Sequence, residues 1–157
     1  MAVKTNVMRI LDFEKISYNT YDYSKSNALS GEEVAKQLSQ DPNRVFKTLV
    51  TQAKSREYYV FMIPVNCELD LKKAAKAVNE KSIDMIPQKE LLKVTGYIHG
   101  GCSPIGMKKC FKLTVHRSAE EAESIIFSAG KIGYQVELSP NDLKKIVPFE
   151  YSDIVVR

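Results

Sequence analysis

Two places in this chain combine residue types and spacing that could do chemistry. The first is Lys47, inside the apolar run Val45-Phe46-Lys47-Thr48-Leu49-Val50. Read as a strand with period two, Lys47 shares a face with Val45 and Leu49, and Phe46, Thr48 and Val50 occupy the other. A lysine among such neighbours is uncommon unless it snorkels, lies at a sheet edge or has a functional partner. Held beside a pocket, its ammonium can orient a carbonyl, a carboxylate or a phosphate. The plainer alternative is an edge lysine whose head reaches water. The second place is GGCSPIGMKK, residues 100–109, where three glycines and a proline fall within seven residues. Such a backbone can approach a ligand closely, and its N–H groups can form an anion nest, here followed at once by Lys108 and Lys109. The plainer alternative is a tight turn between strands.

Other chemistries lack their residues. His99 and His116 stand apart, and Cys67, Cys102 and Cys110 form no CxxC pair, so neither a metal site nor a cofactor is expected. GxSxG, the P-loop and GxGxxG are absent. Cys102 with His99 as base would need a pair three residues apart in a glycine-rich turn to hold catalytic geometry, so an inert thiol is the safer reading. Unpaired cysteines suggest reduced thiols and a cytoplasmic protein. No segment approaches the roughly 20 apolar residues of a membrane span. Lys4, Arg9, Asp12 and Glu14 interrupt the N-terminal stretch, which therefore has no secretory apolar region. The formal net charge of +4 permits an anionic partner without requiring one. Lys72, Lys73 and Lys76 cluster in one segment and Lys108, Lys109 and Lys112 in another; on charge alone both read as solvated faces.

The elements that must position these residues fit one domain over residues 1–157. The spacing predicts a helix near 4–15 and a strand in YNTYDY, 18–23. Ser30-Gly-Glu-Glu33 predicts a capped helix, and Asp41-Pro42 a short helical turn. Strands are expected at 45–52 and 58–63, a helix in LDLKKAAKAV, a strand in SIDMI and a helix in PQKELLKV. Further strands are expected near 110–115, 124–128 and 133–138. Ser118-Ala-Glu-Glu121 reads as a second capping box, Ser139-Pro140 as the start of a short helix, and DIVV as a closing strand. Many strands with scattered helices indicate an α+β fold.

Five segments resemble the YbaK/EbsC family of aminoacyl-tRNA editing domains: YDYS from Tyr21, RVFKTLV around Lys47, LDLKKAAKA at 69–77, TGYIHGGCSPIGMKK at 95–109 and SAGKIGYQVEL at 128–138. The resemblance runs from the first helix to the last strand. It implies an α+β fold around a mixed, barrel-like sheet, related to the editing domain of prolyl-tRNA synthetase. It also implies removal of a wrong amino acid from transfer RNA without metal or cofactor. Lys47 followed by Thr48 is similar to the cysteine type, which acts on Cys-tRNA(Pro); the alanine type usually places asparagine there. By resemblance Lys47 is the catalytic residue and anchors the aminoacyl end or the terminal adenosine. Tyr21, Leu29, Thr48, Gly100, Gly101, Ser103, Pro104, Ser128 and Gly130 bind substrate, and Lys72, Lys73, Lys76, Lys108 and Lys109 meet the transfer RNA backbone. Prolyl-tRNA synthetase is an expected partner. Gln135 replaces an aspartate of several relatives, keeping hydrogen bonding without the charge, and Leu29 stands where relatives have a pocket aromatic. A cysteine substrate carries its own thiol nucleophile, so the protein needs only to fold it into reactive geometry. Deacylation of alanine or serine esters, and a non-enzymatic module that binds transfer RNA or a synthetase, are the alternatives.

Overall fold

The computed structural model describes residues 3–27 and 30–157. Helix α1 (Asn6–Phe13) is capped by the Thr5 hydroxyl and buries Val7, Met8 and Leu11. After β1 (Asn19–Asp22), α2 (Gly31–Gln37) carries the expected capping box: the Ser30 hydroxyl accepts from Glu33 N–H, and the Glu33 side chain accepts from Ser30 N–H. Such a cap contributes about 1 kcal/mol. Residues 42–44 form a hydrogen-bonded turn, closed by Arg44 N–H to Asp41 O. Then come the hairpin β2 (Phe46–Ala53) and β3 (Tyr58–Pro64), helix α3 (Leu71–Ala77) with Asp70 as its cap, and β4 (Ile83–Met85). A single 3₁₀ turn leads into α4 (Leu91–Thr95), which stops at Gly96 with φ +89°. The chain ends with β5 (Lys112–His116), β6 (Ile125–Ser128), β7 (Tyr134–Leu138), α5 (Pro140–Ile146) and β8 (Phe149–Ser152).

The α+β expectation holds. One sheet has the order β4-β2-β3-β5-β8, antiparallel at β4/β2 and β2/β3 and parallel at β3/β5 and β5/β8. A second, antiparallel sheet has the order β1-β7-β6. Among the described residues one parallel bridge, Val45 to Ile126, joins the two. Strand alternation sorts the side chains into layers. Phe46, Val50, Val60 and Met62 from the larger sheet meet Ile125, Phe127, Val136 and Leu138 from the smaller one, with α1 closing this main core. Leu49, Phe61 and Ile63 face the other way, under α3. Val45, Val65, Ile126 and Ala35 make a small third cluster at the seam, with Tyr21 packed against it.

Two local expectations fail. Ser118 caps nothing: residues Arg117–Glu121 form a 3₁₀ turn whose cap position is His116, with no side-chain cap bond. No apolar stripe follows that would bury a helix there, and Ala122 is already extended on the way to β6. The last strand is FEYS rather than DIVV. Phe149 is buried and Glu150 exposed, so this segment alternates beside β5. Ile154 and Val155 are both buried, and Val155 makes only an isolated bridge to Leu69.

Candidate active site at the seam of the two sheets

The register gathers three of the expected residues, together with Gln135, into one row. Tyr21 on β1 lies opposite Gln135 on β7, and Gln135 lies opposite Ser128 on β6. From the Val45–Ile126 bridge, two residues along each strand lead to Lys47 on β2 and Ser128 on β6. Those strands run parallel, so Lys47 and Ser128 share the face of Val45 and Ile126. Beyond the bridge the sheets diverge. The edge of β2 is paired with β4 only from Thr51 to Ala53, with one further bond from Ile86 N–H to Val50 O. Between the Val45–Ile126 bridge and Val50, no strand is paired along that edge among the described residues.

Lys47 is half-buried, as expected on the face of Val45 and Leu49, and has no hydrogen-bond or ion-pair partner among the described residues. Thr48 points to the opposite face, and its buried hydroxyl is also without a partner among the described residues. Leu29 lies outside the described residues.

The glycine-rich segment is more than a turn between strands. It belongs to a long connection from α4 to β5 in which Gly101, Cys102, Ser103, Pro104 and Ile105 are consecutively buried. A Cβ on Gly101 would stand 3.1 Å from Ile132 N, so the 98–101 turn lies directly against the 131–132 turn that follows Ser128. Gly100 has φ +89°, in the left-handed region that favours glycine, and Ile132 packs against it. The Ser103 hydroxyl accepts from Ile105 N–H, and Tyr97 OH donates to Ile105 O, which fixes the loop's far end. No acceptor among the described residues is found for the N–H groups of Cys102 and Ser103, although Ser103 is fully buried. Ser128 Oγ accepts from Gly130 N–H at 3.1 Å. Gly130, with φ +90°, leaves room for Tyr97 and Val7.

Sequence reasoning passed over the most highly connected side chain of this face. Glu137, two residues past Gln135, accepts from Tyr21 OH at 2.6 Å, Ser124 Oγ at 2.6 Å and Arg44 Nη2 at 3.1 Å. Burial alone would raise its pKa. The hydrogen bonds from Ser124, Tyr21 and Asn19, with the Arg44 charge, outweigh that and hold the carboxyl below its ordinary range. Gln135 is buried and its Oε1 accepts from Gln40 Nε2 at 2.9 Å. Burial pushes the Cys102 thiol up to about 12, opposed by a hydrogen bond with Thr95, so it has almost no thiolate near neutral pH. His99 is exposed and not hydrogen-bonded to it.

The other expected residues lie away from the row. Lys72 and Lys76 are exposed on α3, whereas Lys73 Nζ is bound to Asp153 at 3.3 Å and Val155 O at 3.0 Å. Lys108 Nζ reaches Lys93 O at 3.4 Å. An apolar cavity of about 190 Å³ lies beside the glycine-rich loop, lined by Ile10, Val60, Ile105, Phe111, Leu113 and Ile146, and of the expected residues it touches only Pro104 and Lys109. Its lining offers almost nothing to orient an ester, so the seam is the better candidate for chemistry.

Residues 25–146 match the family model of the aminoacyl-tRNA editing domain. The chain belongs to that family. It is 43% identical over 155 residues, 98% of this chain and 94% of the other, to an Enterococcus faecalis protein called "Putative Cys-tRNA(Pro)/Cys-tRNA(Cys) deacylase EbsC". The editing-domain fold recurs in a crystal structure described as a "putative trans-editing enzyme for prolyl tRNA synthetase". There the TM-score is 0.81 and the identity 17%, covering 99% of this chain and 100% of that one. It recurs again in hypothetical protein APE2540, with a TM-score of 0.86 and 18% identity over 96% of this chain and 99% of that one. None of the helices among the described residues is long and apolar enough to cross a membrane.

Proposed function

We propose that this editing domain is a trans-editing deacylase that removes cysteine from mischarged Cys-tRNA(Pro), using the substrate's own thiol. The supporting observation is that, among the described residues, Lys47 has no partner and the N–H groups of Cys102 and Ser103 have no acceptor, while the Cys102 thiol is pushed up to about 12. The site can therefore orient and polarise an ester but has little with which to attack it. Lys47 anchors the aminoacyl end. The N–H groups of Cys102 and Ser103 stabilise the developing oxyanion, the kind of contribution that makes preorganised donors effective. Gly100 and Gly101 let the substrate approach the backbone, while Ser103, Pro104, Ser128 and Gly130 hold the loop and turn in place.

In this reaction the substrate thiolate attacks its own ester carbon. A C–S bond forms, the bond from carbon to the ribose oxygen breaks, and the thiol proton ends on that oxygen. The product is free tRNA and a small cyclic thioester, which water then opens. The 43% identity to the Enterococcus faecalis protein, over nearly all of both chains, supports cysteine as the amino acid. In this reading Lys72, Lys76, Lys108 and Lys109 meet tRNA phosphates, and prolyl-tRNA synthetase presents the substrate. Such a role belongs in the cytoplasm.

Deacylation assays on cysteinyl-, alanyl-, seryl- and S-methylcysteinyl-tRNA(Pro) test this reading. Cysteine should be released far faster than the other three, because only its thiol ionises appreciably near neutral pH. Efficient cleavage of the S-methylated ester would make water the nucleophile. Binding without cleavage of any ester would make the protein a non-enzymatic module.

A further inference from the structure

Glu137 lies on the face of the row, with 11% of its side chain exposed. Its oxygens are divided: Oε1 takes the Tyr21 hydroxyl at 2.6 Å, with Asn19 Nδ2 at 3.5 Å, and Oε2 takes Ser124 Oγ and Arg44 Nη2. A phenol has one proton to donate. Tyr21 has committed its proton to a carboxylate that the surrounding hydrogen bonds and Arg44 keep ionised, so its oxygen can only accept from any further group. Tyr21 is itself only half-buried, on the face that carries Gln135 and Ser128.

The row is therefore polar in one direction. At one end Lys47 can only donate; at the other Tyr21 can only accept. A phosphate, a carboxylate or an ester carbonyl brings no proton to the Tyr21 oxygen, whereas an ammonium does. An aminoacyl ester carries both complements on adjacent carbons, a carbonyl and a protonated α-amino group. We infer that Tyr21 accepts a hydrogen bond from the free α-ammonium group of the substrate, and that Glu137 is the positioning residue that makes Tyr21 an acceptor. This rests on the deacylase reading above. It restricts the substrate class to esters with an unblocked amine: an N-acylated aminoacyl-tRNA loses the cation and most of its donor capacity while retaining the thiol and the ester.

The test compares cysteinyl-tRNA with N-acetylcysteinyl-tRNA in the wild type, Tyr21→Phe and Glu137→Gln. The wild type should prefer the free amine by at least about 30-fold in kcat/KM, less than the discrimination of a fully enclosed polar site because Tyr21 is half-exposed. Tyr21→Phe should lose most of that preference, because the free-amine ester slows more than the N-acetyl ester does. In Glu137→Gln the amide no longer binds the phenol proton as a carboxylate does, so the preference should shrink. The Tyr21 ring carbon, followed by NMR, should then titrate at lower pH than in the wild type. If Glu137→Gln does not fold, Tyr21→Phe, which removes one oxygen, decides alone. Equal cleavage of both esters by the wild type, or unchanged preference in Tyr21→Phe, overturns the inference and leaves the deacylase reading standing. Cleavage of neither ester overturns both.

Discussion

Replacing Lys47 with methionine separates catalysis from stability. Methionine keeps an unbranched stem of similar length against Val45 and Leu49 and removes only the charged head. Lys47 has no ion-pair partner among the described residues, so its loss orphans no carboxylate. A substitution at a half-buried site with no such partner changes stability by no more than about 0.5 kcal/mol. The effect on turnover is set by a different term. Removing one preorganised electrostatic group from a partly desolvated site lowers the rate by about 10²–10³-fold, equivalent to roughly 3–4 kcal/mol. Thermal unfolding and single-turnover deacylation of Cys-tRNA(Pro) measure the two terms on the same preparation. The expected result is an unfolding midpoint within about 2 °C of the wild type beside a loss of at least two decades in rate. A rate within threefold of the wild type would remove Lys47 from the site. A collapse in stability accompanying the rate loss would instead mean that the ammonium is part of the fold.

Gly130→Ala should destabilise by about 2–3 kcal/mol in denaturant titrations, since φ is +90° and the new Cβ would stand 2.9 Å from the Tyr97 ring and 3.0 Å from Val7. Burial, opposed by Asp153, lowers the His116 pKa below its ordinary 6.5, and Nδ1 accepts from Ile154 N–H at 3.3 Å. The neutral imidazole is thus the stabilising form: its contribution is complete above about pH 6.5 and is lost as pH falls through the folded value. His116→Asn, which retains an acceptor, should flatten the fall in stability below pH 6.5; an unchanged acid slope would place that loss elsewhere. The triple replacement of Cys67, Cys102 and Cys110 by serine should keep deacylation within about an order of magnitude, provided the variant is assayed where it is folded, because a thiol pushed up to about 12 supplies little nucleophile. An acyl-enzyme trapped on any of the three would refute that.

The sequence displayed most of the secondary structure because local signals and tertiary needs agreed there. Ser30, Asp70 and Ser139 each precede a helix and each caps it. Lys47 stood out because a charge within an apolar strand is conspicuous at short range. Glu137 did not, because Gln135 and Glu137 alternating with Val136 and Leu138 read as a strand with one wet face. That face is covered instead: the seam cluster packs on it, and Arg44, 93 residues away in the chain, supplies the counter-charge. Periodicity reports which side chains turn together but not what covers them. The same limit hid β8, where three successive apolar residues in DIVV outweighed the weaker alternation of FEYS.

The position of the site follows from how the two sheets meet. A sheet continued across β6 and β2 would have paired the β2 edge along its whole length and left its backbone no groups to offer. The contact is instead one bridge at Val45, after which the larger sheet turns to follow β4 and the smaller one runs into the 129–133 turn. The strand edge opened by that divergence lies level with Lys47, and the turn that closes the smaller sheet lies against Gly101. A lysine and an acceptor tyrosine are thus set on one face, and a loop with unspent N–H groups lies against the turn that closes the smaller sheet, all from parts of the chain far apart in sequence. Each is held by an element whose own packing does not depend on the substrate: the main core behind β2, the Glu137 cluster behind Tyr21, and Tyr97 behind the loop. Rigid support of this kind suits a site that contributes orientation rather than a nucleophile, since orientation accelerates an internal attack only when the reacting atoms are held close to their final geometry.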